Sequence, residues 1–207
     1  MIIKICGITL LETAQQAKEY GADLIGFVFA PSSRQVTVER AVNICREIKG
    51  VGKVGVFVNA PLGEVIAIAR QCRLDFVQFH GNESPDYCRQ VKVPVVKAFQ
   101  IDNQFLAERV NSFPVDYVLC DSFVPGCPGG SGVSFDWQRA ETAMRQIKVP
   151  VLVAGGLTAG NVGTAIKILQ PAGVDVSGGV ETNGVKDGLK IKEFIQAARA
   201  AEGVNHA

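Results

Sequence analysis

The chain has 207 residues, 47% of them hydrophobic, with 21 basic against 20 acidic side chains and a formal net charge of +1. That is enough apolar material for one sizeable core, and the length suits a single domain spanning residues 1–207. The balanced, well-mixed charge argues against nucleic acid or a membrane surface as a partner, and no apolar run approaches a transmembrane length.

The N-terminal segment MIIKICGITLLE has neither a charged n-region nor a long apolar h-region, so no signal peptide is expected. Six cysteines stand at positions 6, 45, 72, 88, 120 and 127, in no metal-ligand spacing and beside only two histidines. The sequence therefore suggests no metal site, and a cytoplasmic protein with reduced thiols. Cys45, Cys72, Cys88 and Cys120 lie in apolar patterns and read as small core hydrophobes, whereas Cys6 and Cys127 adjoin glycine-containing loops.

Along the chain, β-branched runs predict strands at 2–6, 23–29, 53–59, 76–80, 95–99, 117–121, 151–155 and 174–178. Between them lie segments with helical spacing, at 10–20, 38–48, 62–72, 103–113, 137–147, 159–169 and 189–201. Thr37 before Val38, and Ser84 before Pro85 and Asp86, have the chemistry of helix N-caps. The strands are nearly continuous apolar runs, as in a parallel sheet covered on both faces. Eight βα units in one chain predict an α/β fold, a single-domain (β/α)8 TIM barrel. The alternative, a doubly wound open sheet, needs fewer units and lacks a GxGxxG turn after the first strand, where KICGIT stands.

Active sites of such barrels lie at the C-terminal strand ends, with phosphate commonly bound after strands seven and eight. Both of those strands end in paired glycines, Gly155-Gly156 and Gly178-Gly179. Glycine admits a ligand close to the backbone, and a helix starting just beyond adds N–H donors and a positive dipole end. The expected ligand is a phosphorylated small molecule.

The other strand ends supply chemistry. Cys6 ends strand one, as a nucleophile, as a thiolate base, or as a buried apolar cap of the barrel. Arg34 in the loop after strand two suits a carboxylate or phosphate, or simply solvent. Gln78 and His80 share a direction on strand four, and a polar group pointing into a barrel needs partners. Lys97 on strand five fits either a Schiff base or pairing with an acid such as Asp121, and pairing is favoured. Asp121 emerges at the end of strand six, where partial burial would raise its pKa and make it a general acid. A glycine- and proline-rich segment, SFVPGCPGGSGVSFDW, follows as a candidate lid.

KICGIT, VQFHG, LCDS with GGSGVSFDW, VAGGLTAGNV and VDVSGGVETNGVKD, in this order over essentially the whole chain, resemble the phosphoribosylanthranilate isomerase family. The resemblance implies a cofactor-free Amadori rearrangement in tryptophan biosynthesis, from N-(5-phosphoribosyl)anthranilate to 1-(2-carboxyphenylamino)-1-deoxyribulose 5-phosphate. It implies Cys6 as general base, Asp121 as general acid and Arg34 on the anthranilate carboxylate. Gly156 and its neighbours Gly155 and Leu157, with Ser177, Gly178 and Gly179, fall on the phosphate site, and Gly130, Gln78 and His80 complete the expected substrate contacts. A monomer or homodimer is expected. The chain departs from the family's usual pattern at Gln35, Val133, Ala159-Gly160 and Ser177-Gly178. The rival readings are another sugar-phosphate isomerase or an aldolase using Lys97.

Overall fold

A computed structural model describes residues 1–101, 107–121 and 137–202, apart from the side chains of 137–140. Eight parallel strands close into a barrel in sequential order: β1 (Ile2–Cys6), β2 (Leu24–Val28), β3 (Gly52–Phe57), β4 (Phe76–Phe79), β5 (Val95–Gln100), β6 (Tyr117–Asp121), β7 (Val151–Ala154) and β8 (Gly173–Val176). The helices are α1 (Leu11–Glu19), α2 (Val38–Glu47), α3 (Leu62–Cys72), α4 (Pro85–Arg89), α5 (Ala107–Asn111), α6 (Trp137–Met144), α7 (Val162–Leu169) and α8 (Gly188–Glu202). This is the predicted (β/α)8 architecture, with each expected strand within two residues of its place.

The two faces of the strands explain why they read as continuous apolar runs. Outward side chains such as Ile3, Ile5, Ile25, Phe27, Phe79 and Val174 meet Ala14, Ile44, Ile68, Ile166 and Phe194 of the helices in one large core. Inward side chains form a second, smaller cluster of Val96, Ala98, Leu119, Leu152 and Ala154, with Ile2, Phe76 and Tyr117 against it. Strand register carries the inward set around the barrel: Cys6 pairs with Gly26, Val56 with Gln78, Gln78 with Val96, and Leu152 with Gly173. At the closing seam Lys4 of β1 lies opposite Asp175 of β8.

Both sequence-level caps form: Thr37 Oγ1 accepts from the Arg40 N–H and Ser84 Oγ from that of Tyr87. Cys45, Cys72, Cys88 and Cys120 are buried free thiols, as expected of core residues. One element was not expected, a hairpin of β9 (Glu181–Thr182) and β10 (Val185–Lys186) between β8 and α8. Its turn residues Asn183 and Gly184 have φ of 52° and 77°, the geometry an Asn-Gly dipeptide favours. α7 begins only at Val162, because Thr158 O already accepts from the N–H groups of Asn161 and Val162 and holds the intervening residues as a turn.

Phe194 of α8 is fully buried against the outer face of the barrel. Phe194→Ala should cost about 3–5 kcal/mol, read as a lower urea midpoint at unchanged slope.

Candidate active site

The rim at the C-terminal ends of the strands gathers most of the residues singled out above. The two glycine turns lie side by side: a Cβ on Gly179 would fall 1.8 Å from the Leu157 carbonyl oxygen, so only glycine fits there. Gly155 and Gly156 both have positive φ, and the space above Gly156 is open. A 3-10 turn over Gly178–Val180 follows β8 directly, and the first N–H groups of such a turn have no acceptor within it. The N-terminal donors of α7 are partly spent: Val162 donates to Thr158 O, and Asn161 Oδ1 accepts from the Thr158 N–H. The backbone N–H groups this wall could offer an anion therefore come from the turns themselves, with the short turn after β8 standing where a helix start was expected.

Cys6 points inward at the top of β1 and is 7% exposed. Burial pushes its thiol up, opposed by the neighbouring Lys4 and, more weakly, Lys186, and reinforced by Asp175. Ser177 Oγ donates to the Cys6 carbonyl at 3.1 Å, so its hydroxyl braces the strand end.

Across β7 and β8 from Cys6, Asp121 ends β6. Its Oδ2 lies 3.3 Å from His80 Nε2, and His80 Nδ1 lies 3.1 Å from Gln78 Nε2. An amide N–H can only donate, so Nδ1 accepts, and the ring proton sits on Nε2 facing the carboxylate. Gln78, His80 and Asp121 thus form one line from the barrel interior to the mouth. Gln78 Oε1 is buried without a hydrogen-bond partner among the described residues, an acceptor left over on the inner wall.

Arg34 is bound to a carboxylate of the chain itself. Its Nε and Nη2 donate to the two oxygens of Glu181 at 2.6 and 2.7 Å. Lys186 Nζ donates to the same carboxylate at 2.6 Å and to Ser177 Oγ at 3.1 Å. Burial pushes the Glu181 carboxyl up, but the hydrogen bonds and charges of Arg34 and Lys186 outweigh it and hold it below its ordinary value. Glu181 and Lys186 were not anticipated; the Asn-Gly turn between them was the available signal, since a hairpin there brings both to the mouth.

Lys97 is a correction. It pairs with an acid, but the acid is Glu83, at 3.3 Å, and not Asp121. Its neighbours Val96 and Ala98 face the barrel interior, so Lys97 faces the helices, donating to the carbonyls of Phe79, Gly81 and Ala98. Glu83 in turn accepts from the N–H groups of Asn59 and Gly81. The pair ties down the loop that carries His80 and lies outside the barrel mouth, where an aldolase lysine would be needed. Gly130, Cys127 and Val133 lie outside the described residues. No cluster of three or more metal-type side chains occurs among the described residues, and no helix among them is long and apolar enough to cross a membrane.

Proton-handling groups around a barrel mouth, beside turns that offer bare backbone to an anion, define an acid–base enzyme of the phosphate-handling (β/α)8 class. The sequence model of N-(5'phosphoribosyl)anthranilate (PRA) isomerase matches residues 3–197. The N-(5'-phosphoribosyl)anthranilate isomerase of Desulforudis audaxviator is 48% identical over 203 residues, covering 97% of this chain and 98% of the relative. Among solved structures, phosphoribosyl anthranilate isomerase from Thermotoga maritima superposes with a TM-score of 0.87 at 39% identity, over 97% of this chain and 100% of that one. Another phosphoribosyl anthranilate isomerase, solved with reduced 1-(o-carboxyphenylamino)-1-deoxyribulose 5-phosphate, matches 97% of this chain and 100% of its own, at 36% identity and a TM-score of 0.84. The chain belongs to the N-(5'-phosphoribosyl)anthranilate isomerase family, the isomerases of this step in tryptophan biosynthesis.

Two outcomes follow from the ion pairs. Because the folded pKa of Glu181 is depressed, its contribution to stability is complete above the ordinary glutamate value of about 4.3 and is lost as pH falls through the folded value. The stability difference between wild type and Glu181→Gln, measured by urea unfolding across pH, should be constant near neutrality and close in acid. Lys97→Met strands buried Glu83 and should cost about 3–5 kcal/mol, while borohydride should trap no substrate on the wild-type chain.

Proposed function

We propose that the reaction is carried by Cys6 as general base and Asp121 as general acid, with the substrate's phosphate held at the turns after β7 and β8 and its anthranilate carboxylate at Arg34. The observation that carries this reading is an inward thiol ending β1 and an inward carboxyl ending β6, separated around the rim by the two strands whose turns form the anion site.

In this reading Asp121 gives a proton to the furanose ring oxygen as the C1–O bond breaks, and the anthranilate nitrogen lone pair forms the C1=N bond. The Cys6 thiolate then takes the proton from C2, and that electron pair forms C1=C2 and returns the nitrogen to neutrality. The resulting enol gains a proton at C1 and loses the proton of its C2 hydroxyl, becoming the 2-ketone, 1-(2-carboxyphenylamino)-1-deoxyribulose 5-phosphate. His80, its Nε2 directed at Asp121, orients the acid, which regains its proton from solvent at the mouth between turnovers. Gln78 fixes the tautomer and offers its spare Oε1 toward the bound sugar.

Several observations support the substrate. One solved relative is described with the reduced product analogue bound, and Arg34 already binds a carboxylate bidentately, the group anthranilate presents. A phosphorylated, soluble substrate fits a cytoplasmic enzyme. A related solved protein is described as monomers generated from the dimeric phosphoribosylanthranilate isomerase of Thermotoga maritima, and a monomer or homodimer is the assembly we infer here.

Cys6→Ala and Asp121→Asn should each lower kcat by about 10²–10⁴ with little change in substrate affinity, followed by the loss of substrate anthranilate fluorescence. Full turnover in Cys6→Ala would remove the base from this scheme.

A further inference from the structure

The barrel interior holds an ion pair that the reaction scheme leaves unused. Lys4, with no solvent exposure, donates from Nζ to Asp175 Oδ1 at 2.9 Å. A buried ion pair is a weak source of stability, since apolar side chains of similar volume serve a core as well. Lys4 has a second neighbour, however. It lies two residues below Cys6 on the same inward face of β1, and the two side chains approach each other beside Gly26 of β2, where the ammonium favours the thiolate. The strand opposite leaves room for this contact: a Cβ on Gly26 would lie 2.8 Å from Cys6 Sγ and 3.3 Å from Lys4 Cε.

The charged groups facing Cys6 among the described residues come from four elements. They are Lys4 on β1, Asp175 on β8, Lys186 on β10 and Arg34 in the loop after β2. Lys186 and Arg34 share Glu181, and of these cations Lys4 acts most strongly on the sulfur.

We propose that Lys4 is a positioning residue for Cys6: its buried ammonium is the counter-charge that lets the Cys6 thiolate exist inside the barrel, and Asp175 takes up that charge while Cys6 is a thiol. The inference rests on the reading of Cys6 as the base. Burial alone would strip Lys4 of its proton, but Asp175 and Cys6 keep its pKa above the ordinary lysine value, so Lys4 is a fixed cation and not a proton carrier. When Cys6 ionises, its proton leaves to solvent at the mouth, and the proton later taken from C2 replaces it.

The two partners then act on Cys6 with opposite signs. Asp175→Asn frees the Lys4 charge for the sulfur and should lower the pH at which the thiolate forms. Lys4→Met removes the charge and strands Asp175, which endangers folding, so Lys4→Met/Asp175→Asn is the cleaner variant and should raise that pH. The thiolate is read by its ultraviolet absorbance against pH, each protein measured against its Cys6→Ala counterpart so that the other thiols cancel. At neutral pH the thiolate fraction should fall about tenfold or more in the double variant, the change for each unit of pKa, and rise in Asp175→Asn. The pH profile of kcat/KM should move in the same two directions.

An unchanged midpoint in both variants, or movement of both in one direction, overturns the proposal, because a purely structural pair would alter stability without opposed shifts in Cys6 titration. Opposed shifts in a protein whose Cys6→Ala form still turns over support the Lys4 coupling and discard Cys6 as base. Inactive Cys6→Ala with unmoved midpoints discards Lys4 alone.

Discussion

The structure turns on the Lys4–Asp175 pair at the seam between β1 and β8. Elsewhere the barrel interior is filled by Val96, Ala98, Leu119, Leu152 and Ala154, which need only shape and volume. At the seam the filling is an ammonium and a carboxylate, and each is tolerable there only because the other is present. The two strands that close the barrel also carry Cys6 and Ser177 at their ends, joined by the Ser177 hydroxyl bond to the Cys6 carbonyl. Closure of the sheet and placement of Cys6 beside Ser177 at the rim are thus the same event. A sequence that failed to bring Lys4 opposite Asp175 would leave two unpaired charges in the interior, so the register of the last strand on the first is strongly specified.

Strand parity divides the remaining polar residues into structural and chemical groups. Gln78 shares the inward face with Phe76 and His80, and leads from the interior to Asp121. Lys97, between inward Val96 and Ala98, faces the helices, where Glu83 and three carbonyls satisfy it completely. The two strands are neighbours, and a single step in register separates a residue of the mouth from a brace for the loop that bears His80. The brace matters to the site all the same, because Glu83 fixes the Gly81 N–H directly after His80.

The sequence carried most of the fold because a (β/α)8 barrel is written in local periodicity. Strand-length apolar runs alternate with helical spacing, and the eightfold repetition leaves few other ways to bury them. The glycine pairs, Cys6 and Asp121 were legible as exceptions to that pattern at strand ends. Less legible was everything decided by partner choice across the barrel. Lys97 lies near both Asp121 and Glu83 in a strand diagram, and only the direction of its side chain selects between them. Glu181 and Lys186 looked like part of a polar connection, although Asn183-Gly184 between them carried the hairpin signal. The start of α7 was misplaced because Ala159-Gly160 continues an apparent helical pattern, whereas Thr158 and Asn161 close a local turn before the helix begins.

The Arg34–Glu181–Lys186 cluster shows how a site can be charged for an anionic ligand without being disordered in its absence. A guanidinium without a partner at an open mouth would sample many rotamers, and ordering it on binding would subtract from affinity. Glu181 takes the Nε edge of Arg34 and is itself held by Lys186, so the arginine is already oriented, with donors to spare for a second carboxylate. One carboxylate shared by two cations leaves the cluster net positive, on a chain whose overall charge is only +1. The positive field is therefore local to the mouth. It suits an anionic ligand at the rim and opposes the burial that pushes the Cys6 thiol up, so that one arrangement of charge bears on both.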